Sequence, residues 1–295
     1  NHSTIQPFNH SHPSPVALPH MLSFPNCKIN LGLRILDKRE DGYHNLVSVF
    51  YPVKWCDALE IIVADEFSFV SEGLKVDGNE EHNLCVKAYR ILQKEFSLAP
   101  IKIALLKNIP MGAGLGGGSA DGAFTLSMLN ELFKLKLNTD QLKSYALQLG
   151  SDCPFFIENK PMLVTGKGEL MENAAVDLSE YFIELIYPDI AISTEWAFRE
   201  FAKTAHKISD PDAIDSLKGL LRQPLYNWQK ELVNDFEQGV AGFYSEVSII
   251  KKQLYAAGAV YASMSGSGSS VFGIFEEKPK EIFFKSSFQR FSGKL

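Results

Sequence analysis

The chain has 295 residues, of which 45% are hydrophobic and 22% are charged, so it has enough apolar material for a folded core and is not intrinsically disordered. Its formal net charge of -6 disfavours broad contact with a phosphate backbone, and we therefore predict no nucleic-acid partner. A chain of this length exceeds the usual size of one hydrophobic core, which predicts two domains.

The cysteines and the apolar runs indicate the compartment. The cysteines occur without a Cys-x-x-Cys pair, at Cys27, Cys56, Cys85 and Cys153. This spacing favours free thiols over a zinc site or a disulfide framework, and it predicts a reducing, cytoplasmic location. No apolar run is long enough to cross a bilayer, so no membrane partner is expected. Residues 1–20, which lack periodicity, are interpreted as a remnant of expression.

The first patterned segment, residues 28–36, alternates like a β-strand. One face is expected to carry Ile29, Leu31, Leu33 and Ile35. Lys28 and Asn30 then point together to the other face. An Asp41-Gly42 turn predicts a hairpin whose second strand is 46–53. A strand over 59–63, a helix over 83–96 and a strand over 101–106 follow.

The remaining elements are interpreted from the same periodicities. We expect helices near 126–133, over 139–150 with a Thr139 N-cap, over 194–201 with a Thr194 N-cap, and over 228–236 and 247–257. We expect strands at 162–165, 182–187, 260–264 and 271–275. Strands and helices are mixed without regular βα alternation, which favours an α+β fold. The predicted domains are 21–165 and 166–295.

A glycine-rich segment carries the strongest chemical signal. It runs from Pro110 to Ala120, between a predicted strand and a helix expected to start near Ser119. Five of its residues are glycines: Gly112, Gly114, Gly116, Gly117 and Gly118. They allow the backbone N–H groups to approach an anion, and the helix N-terminus adds unpaired donors. The segment therefore predicts a phosphate site.

Two other phosphate motifs are weighed against this segment. Gly112, Gly114 and Gly117 match Gly-x-Gly-x-x-Gly, which makes an NAD-dependent oxidoreductase an alternative. That fold requires a second strand ending in an acid about 20 residues on, whereas two helices are predicted here. No Gly-Lys-Ser/Thr closes the run, so a P-loop is excluded.

Three motifs in order resemble the GHMP kinase superfamily. They are the glycine-rich segment, Pro25-Asn-Cys-Lys28-Ile-Asn30-Leu and Ser265-Gly-Ser-Gly-Ser-Ser270, and the resemblance covers about residues 23–275. It implies a two-domain α+β fold with the active site in the inter-domain cleft, ATP in the N-terminal domain and Mg²⁺ with the nucleotide. Residues 41–44, 150–156 and 234–235 further resemble the family that phosphorylates 4-diphosphocytidyl-2-C-methyl-D-erythritol in the non-mevalonate isoprenoid pathway.

The resemblance also implies roles for individual residues. The catalytic pair is Asp152, as the base, and Lys28. The ATP-binding residues are Asn83, Lys107, Pro110, Met111, Gly112, Ala113, Gly114, Leu115, Gly116, Gly117, Gly118 and Ser119. The residues for a cytidine diphosphate substrate are Asn30, Tyr43, His44, Phe50, Thr194, Trp196, Ser265, Gly266, Ser267 and Gly268. No metal ligand is assigned.

Several alternatives stay open at this point. Ser119 is weighed equally as a phosphate or magnesium contact and as the N-cap of its helix. Phe50 and Trp196 are weighed equally as site residues and as core residues. The function itself has two alternatives, another GHMP small-molecule kinase or a non-catalytic metabolite sensor with the same fold. The expected assembly is a monomer or a homodimer.

Overall fold

A computed structural model describes residues 19–76, 78–204 and 210–295, without the side chain of residue 204. The interpretation of residues 1–20 as a remnant of expression falls mostly outside this range, in which only residues 19 and 20 of that segment are described. The strands are β1 (His20–Ser23), β2 (Asn26–Lys38), β3 (His44–Cys56), β4 (Ala58–Val63), β5 (Ser68–Gly73), β6 (Ile101–Lys107), β7 (Met162–Thr165), β8 (Leu170–Asn173), β9 (Phe182–Tyr187), β10 (Tyr261–Met264), β11 (Val271–Phe275) and β12 (Gln289–Lys294). The helices are α1 (Leu84–Phe96), α2 (Gly117–Leu132), α3 (Thr139–Leu149), α4 (Cys153–Glu158), α5 (Thr194–Thr204), α6 (Ala213–Leu221), α7 (Trp228–Glu231), α8 (Glu237–Phe243) and α9 (Ser245–Ala256).

The strands form three four-stranded sheets, in the orders β1-β4-β6-β5, β2-β3-β7-β8 and β10-β11-β9-β12. Only β5 and β6 pair in parallel among these strands, and the other pairs are antiparallel. Helices and largely antiparallel sheets of this kind confirm the predicted α+β class. The predicted domain boundary near residue 165 falls between β7 and β8, which pair with each other.

Strand β2 is long and irregular, and this corrects the predicted alternation. Gly32 has a φ of 65° and interrupts the register between Leu31 and Leu33. Ile29 and Leu31 pack in one core cluster, whereas Leu33 packs in another with Ile35. The single apolar face predicted for the four residues is therefore wrong, because a β-bulge re-aims the side chains that follow it.

Three predicted helix ends also differ from the structure. The side chain of Asn138, not Thr139, caps α3, in a reciprocal arrangement with Gln141. At α5, the Ser193 hydroxyl accepts the Trp196 N–H, so Thr194 lies inside the helix. The helix predicted over 228–236 ends at Glu231, because the next residues run beside β2.

The elements that carry the predicted site converge on the end of β6 and the start of α2. Helices α1 to α4 pack over β4 and β6 in one core cluster, and this fixes the start of α2. A second cluster joins β2 and β3 to β9 and β11. The loops after β6 and β10 therefore meet beside β2.

Candidate active site

Lys28 lies at the centre of the site on β2. Its Nζ atom donates to Asn30 Oδ1 at 2.7 Å and to the Gly114 carbonyl at 3.2 Å, and it lies 4.5 Å from the centre of the Phe50 ring. Burial lowers the pKa of Lys28, and Asp152 opposes that effect. The Lys28 ammonium group is thus held against the glycine loop.

Asp152 faces this cation. Its Oδ2 atom lies 3.7 Å from Lys28 Nζ, and its side chain is 32% exposed while that of Lys28 is 5% exposed. The residue occupies the N-cap position of α4, after the Gly150 that ends α3. The sequence predicted a carboxylate on a turn beside Lys28, and the structure brings the two side chains together.

The glycine loop bends sharply before α2. Gly112, Gly114 and Gly116 have φ values of 63°, 76° and 70°, which L-residues with side chains rarely adopt. The N-cap of α2 is Gly116, so the first N–H groups of the helix have no partner within it. Backbone donors beside a buried lysine suit the chemistry of phosphate oxygens, and the loop therefore fits the phosphates of ATP.

The loop after β10 packs directly on the glycine loop. The Ser265 hydroxyl donates to the Gly114 carbonyl at 3.0 Å, and the Ser270 N–H donates to the Ala113 carbonyl at 3.3 Å. A Cβ atom on Gly114 would lie 2.1 Å from the Ser265 carbonyl oxygen, so glycine is required there. The Asn30 N–H contacts the Ser265 hydroxyl at 3.3 Å. The three predicted motifs thus form one site.

Asn30 and Phe50 line the buried side of Lys28. Asn30 accepts from Lys28 and donates through Nδ2 to Ser48 Oγ at 2.9 Å, so both ends of its amide have protein partners. Phe50 is 4% exposed and meets the Phe155 ring edge-on. These contacts place Phe50 in the core beneath the lysine, which is one of the two positions weighed for it, and its contact with the substrate stays a prediction.

The predicted substrate residues of the β2–β3 turn lie near α5. Tyr43 is 58% exposed, and His44 stacks on Phe198 of α5 with ring centres 5.2 Å apart. Burial is the main cause that lowers the pKa of His44, which favours a neutral imidazole. Thr194 lies within 3.3 Å of Ser267 through their hydroxyl groups.

Trp196 packs against the end of α8, which agrees with the core role weighed for it, and its contact with the substrate stays a prediction. Its ring contacts Phe243 and Tyr244 at centroid distances of 5.2 and 5.6 Å, on the C-terminal side of the molecule. Phe198 is the aromatic residue of this helix that reaches His44, and the sequence reasoning missed it. The available signal was its position four residues after Thr194, which places both residues on one helical face.

Lys107 is buried against two carboxylates, contrary to its predicted contact with the nucleotide. Its side chain is fully buried and bonds to Asp57 and to Asp121, the latter at 2.8 Å. Burial by itself lowers the pKa of Lys107, but the two carboxylates outweigh it and the net pKa is raised. The amine therefore ties the end of β6 to α2 and to the β3–β4 connection, and it has no surface to offer a nucleotide.

Asn83 and Ser119 have structural positions that bear on their predicted roles. The Asn83 side chain caps α1 by accepting the Cys85 N–H at 2.9 Å. Ser119 is the third residue of α2, so the reading of this residue as the N-cap is wrong. Its contact with phosphate or magnesium stays a prediction, as does a nucleotide contact of Asn83.

Residues 19–76, 78–204 and 210–295 contain no group of three or more His, Cys, Asp or Glu side chains arranged around a metal position. None of their helices combines the length and the apolar character needed to cross a membrane. All four cysteines are free.

The chain is similar to GHMP kinases in both halves. The family profile described as GHMP kinases N terminal domain matches residues 83–160, and the one described as GHMP kinases C terminal matches residues 216–291.

Several curated proteins match almost the whole chain. A protein of Bacteroides fragilis named 4-diphosphocytidyl-2-C-methyl-D-erythritol kinase is 48% identical over 274 residues, which cover 91% of this chain and 97% of that protein. A protein of the same name from Bacteroides thetaiotaomicron is 50% identical over 260 residues, covering 87% of this chain and 92% of its own.

Solved structures share the fold. A crystal structure of 4-(cytidine 5'-diphospho)-2C-methyl-D-erythritol kinase matches with a TM-score of 0.73 and 26% identity, over 88% of this chain and 91% of the other. A homoserine kinase from Cytophaga hutchinsonii matches with a TM-score of 0.65 at 17% identity, over 92% and 89% of the two chains, which shows a likeness of fold.

Proposed function

The chain belongs to the 4-diphosphocytidyl-2-C-methyl-D-erythritol kinase family of GHMP kinases. We propose that it transfers the γ-phosphoryl group of ATP to a hydroxyl of 4-diphosphocytidyl-2-C-methyl-D-erythritol. The observation that carries the proposal within this chain is the Lys28–Asp152 pair beneath the glycine loop. A purely metabolite-binding protein has no need of a partly exposed carboxylate held against a buried cation.

The geometry supports a direct transfer. The Asp152 carboxylate accepts the proton of the substrate hydroxyl, whose oxygen forms a bond to the γ-phosphorus. The bond between that phosphorus and the β–γ bridging oxygen breaks, and ADP leaves with the bonding electrons. Lys28 offsets negative charge on the transferring group.

The backbone N–H groups of the glycine loop and the first turn of α2 hold the ATP phosphates in this proposal. Mg²⁺ supplies charge neutralisation at the β- and γ-phosphates, as it does for phosphoryl transfer in general.

The cytidine base is proposed to bind between the β2–β3 turn and α5. Tyr43 presents an exposed aromatic face, and Phe198 presents its ring beside His44. A neutral His44 has one donor and one acceptor nitrogen, which suits the polar edge of a base. Tyr43 and Phe198 are proposed to form the aromatic surface on which the base stacks, with Phe198 taking the place of Trp196 among the predicted substrate residues.

A coupled assay of ADP release against a panel of substrates tests the proposal. We expect turnover with 4-diphosphocytidyl-2-C-methyl-D-erythritol and little with homoserine, galactose or mevalonate. Preference for one of those three would leave only the superfamily assignment standing. Binding of substrate and ATP without turnover would instead support a metabolite sensor.

A further inference from the structure

Asn234 lies outside the site, yet its side chain is tied to the loop that forms one wall of it. Asn234 is 4% exposed. Its Nδ2 atom donates to the Met264 and Gly266 carbonyls, each at 2.8 Å, and its Oδ1 atom accepts the Phe236 N–H at 3.0 Å. Both amide hydrogens and the amide oxygen therefore have partners, in a buried place where an unpaired carbonyl is costly.

The backbone beside Asn234 is fixed to the strand that carries Lys28. The Val233 carbonyl accepts the Leu33 N–H at 2.9 Å, and the Asp235 N–H donates to the Leu33 carbonyl at 2.9 Å. The Asp235 carboxylate accepts the Ile35 N–H at 2.8 Å. Residues 233–235 thus run along β2 beyond its Gly32 bulge, as if they were a short parallel strand.

Between the two carbonyls that Asn234 holds lies Ser265. The Ser265 hydroxyl donates to the Gly114 carbonyl, which also accepts from Lys28 Nζ. Gly266 itself approaches the site so closely that a Cβ atom there would lie 3.0 Å from the Gly114 carbonyl oxygen. A displacement of residues 264–266 would therefore shift the acceptor that helps to aim the lysine.

We propose that Asn234 is a positioning residue for phosphoryl transfer, because it fixes the Ser265 loop relative to β2 and thereby fixes Gly114 and Lys28. The inference rests on the proposed function for its kinetic consequence. Asparagine suits this position because one planar amide offers two donors to two carbonyls. Aspartate has the same shape but offers oxygen atoms to both.

The test compares Asn234→Asp with Asn130→Asp. Asn130, in α2, is a matched control because its side chain also bonds to the backbone. It accepts the Leu137 N–H and donates to the Leu137 carbonyl, and Leu137 lies in the segment that follows α2. Hydrogen exchange of residues 264–270, whose Ser265, Gly268 and Ser270 N–H groups are hydrogen-bonded, is measured with kcat, KM and thermal unfolding. We expect Asn234→Asp to speed exchange in this segment by at least about tenfold and to lower kcat/KM by about 10- to 100-fold, since small misplacements of reacting groups have effects of that size.

Asn130→Asp should lower the unfolding temperature while leaving exchange in residues 264–270 and kcat/KM as in the wild type. If Asn234→Asp does not fold, Asn234→Ser, which keeps one donor, is measured in its place. Wild-type exchange in residues 264–270 of the folded Asn234 variant overturns the inference, as does an equal loss of kcat/KM in Asn130→Asp. An inactive wild type would refute the proposed function instead, and the exchange comparison would still decide the role of Asn234.

Discussion

Lys28 and Asp152 form an ion pair of 3.7 Å in which the cation is buried and the carboxylate is about one-third exposed. This difference in exposure suits the two residues to different roles in the proposed reaction. The lysine receives its charge-stabilising contacts from Asn30 and Gly114 within the protein, whereas the carboxylate keeps an exposed side. A base must reach its substrate, whereas a cation that offsets negative charge beside it can be buried.

We expect Asp152→Asn to bind ATP and the cytidine substrate but to reduce kcat by about 10²- to 10⁴-fold, because a positioned base is lost. Asp140→Asn is the control, since Asp140 is an exposed acid in the first turn of α3. Its removal should affect stability slightly and kcat not at all. Rates are measured by ADP release, and affinities by calorimetry. Near-normal turnover in Asp152→Asn would refute the role of Asp152 as base.

The pH dependence of Lys28 follows from its burial, which lowers its pKa below 10.5. Between that lowered pKa and the ordinary value, the unfolded chain binds more protons than the folded chain, so this group makes the free energy of unfolding rise with pH. Turnover needs the charged lysine and should fall as pH rises through the lowered pKa. Asp152→Asn removes the charge that opposes the lowering, so the Lys28 pKa should fall further.

Amine titration by NMR of isotope-labelled lysine measures this pKa. The Lys28 signal is assigned by its absence from the spectrum of Lys28→Arg. A Lys28 pKa at or above 10.5 in the wild type, or one that rises in Asp152→Asn, would contradict the electrostatic description of the pair.

The local sequence predicted the parts of this site that depend on short-range pattern. The alternation of β2 placed Lys28 and Asn30 on one face, and the glycines marked a turn before a helix. The Gly32 bulge was not predictable from alternation, because its register depends on the residues of β3 and on the approach of Leu232. A one-residue bulge reverses the faces that follow it, and pattern alone cannot locate it.

Long-range packing decided the positions of Lys107, Trp196 and Phe198. Lys107 is the last residue of an alternating strand, whose pattern alone allowed it to face the nucleotide, but Asp57, between β3 and β4, and Asp121 of α2 converge on it. Those partners lie 50 and 14 residues away in sequence. Trp196 and Phe198 lie two residues apart on one helix. Only the elements packed against each side show that Phe198 contacts His44 and that Trp196 contacts Phe243.

Gly118→Ala separates the phosphate role of the glycine loop from its structural role. A Cβ atom on Gly118 would meet only the flexible end of Met111, at 3.5 Å. The variant should be as stable as the wild type or more stable, by up to about 1 kcal/mol, because alanine favours a helix. The KM for ATP should nevertheless rise, since the methyl group stands where phosphate oxygens approach the first turn of α2.

Gly219→Ala is the matched control for that variant. Gly219 lies within α6, and a Cβ atom there has no neighbour within 4 Å. Its stability should increase in the same way, with no change in the KM for ATP. Thermal unfolding and steady-state kinetics are sufficient for the comparison, and an unchanged KM in Gly118→Ala would exclude phosphate binding at this turn.

The last prediction concerns the surface that holds the cytidine base. Phe198→Ala should raise the KM for the cytidine substrate, because a stacked ring contributes about 1–3 kcal/mol to the binding of a base. This corresponds to about 5- to 150-fold in affinity, and the KM for ATP should change much less. Trp196→Ala should lower the unfolding temperature through lost contacts with Phe243 and Tyr244 while leaving the substrate KM near the wild-type value. Tyr43→Ala should resemble Phe198→Ala in kinetics but not in stability, because Tyr43 is 58% exposed. A larger rise of the substrate KM in Trp196→Ala than in Phe198→Ala would restore tryptophan as the stacking residue and refute the arrangement around His44.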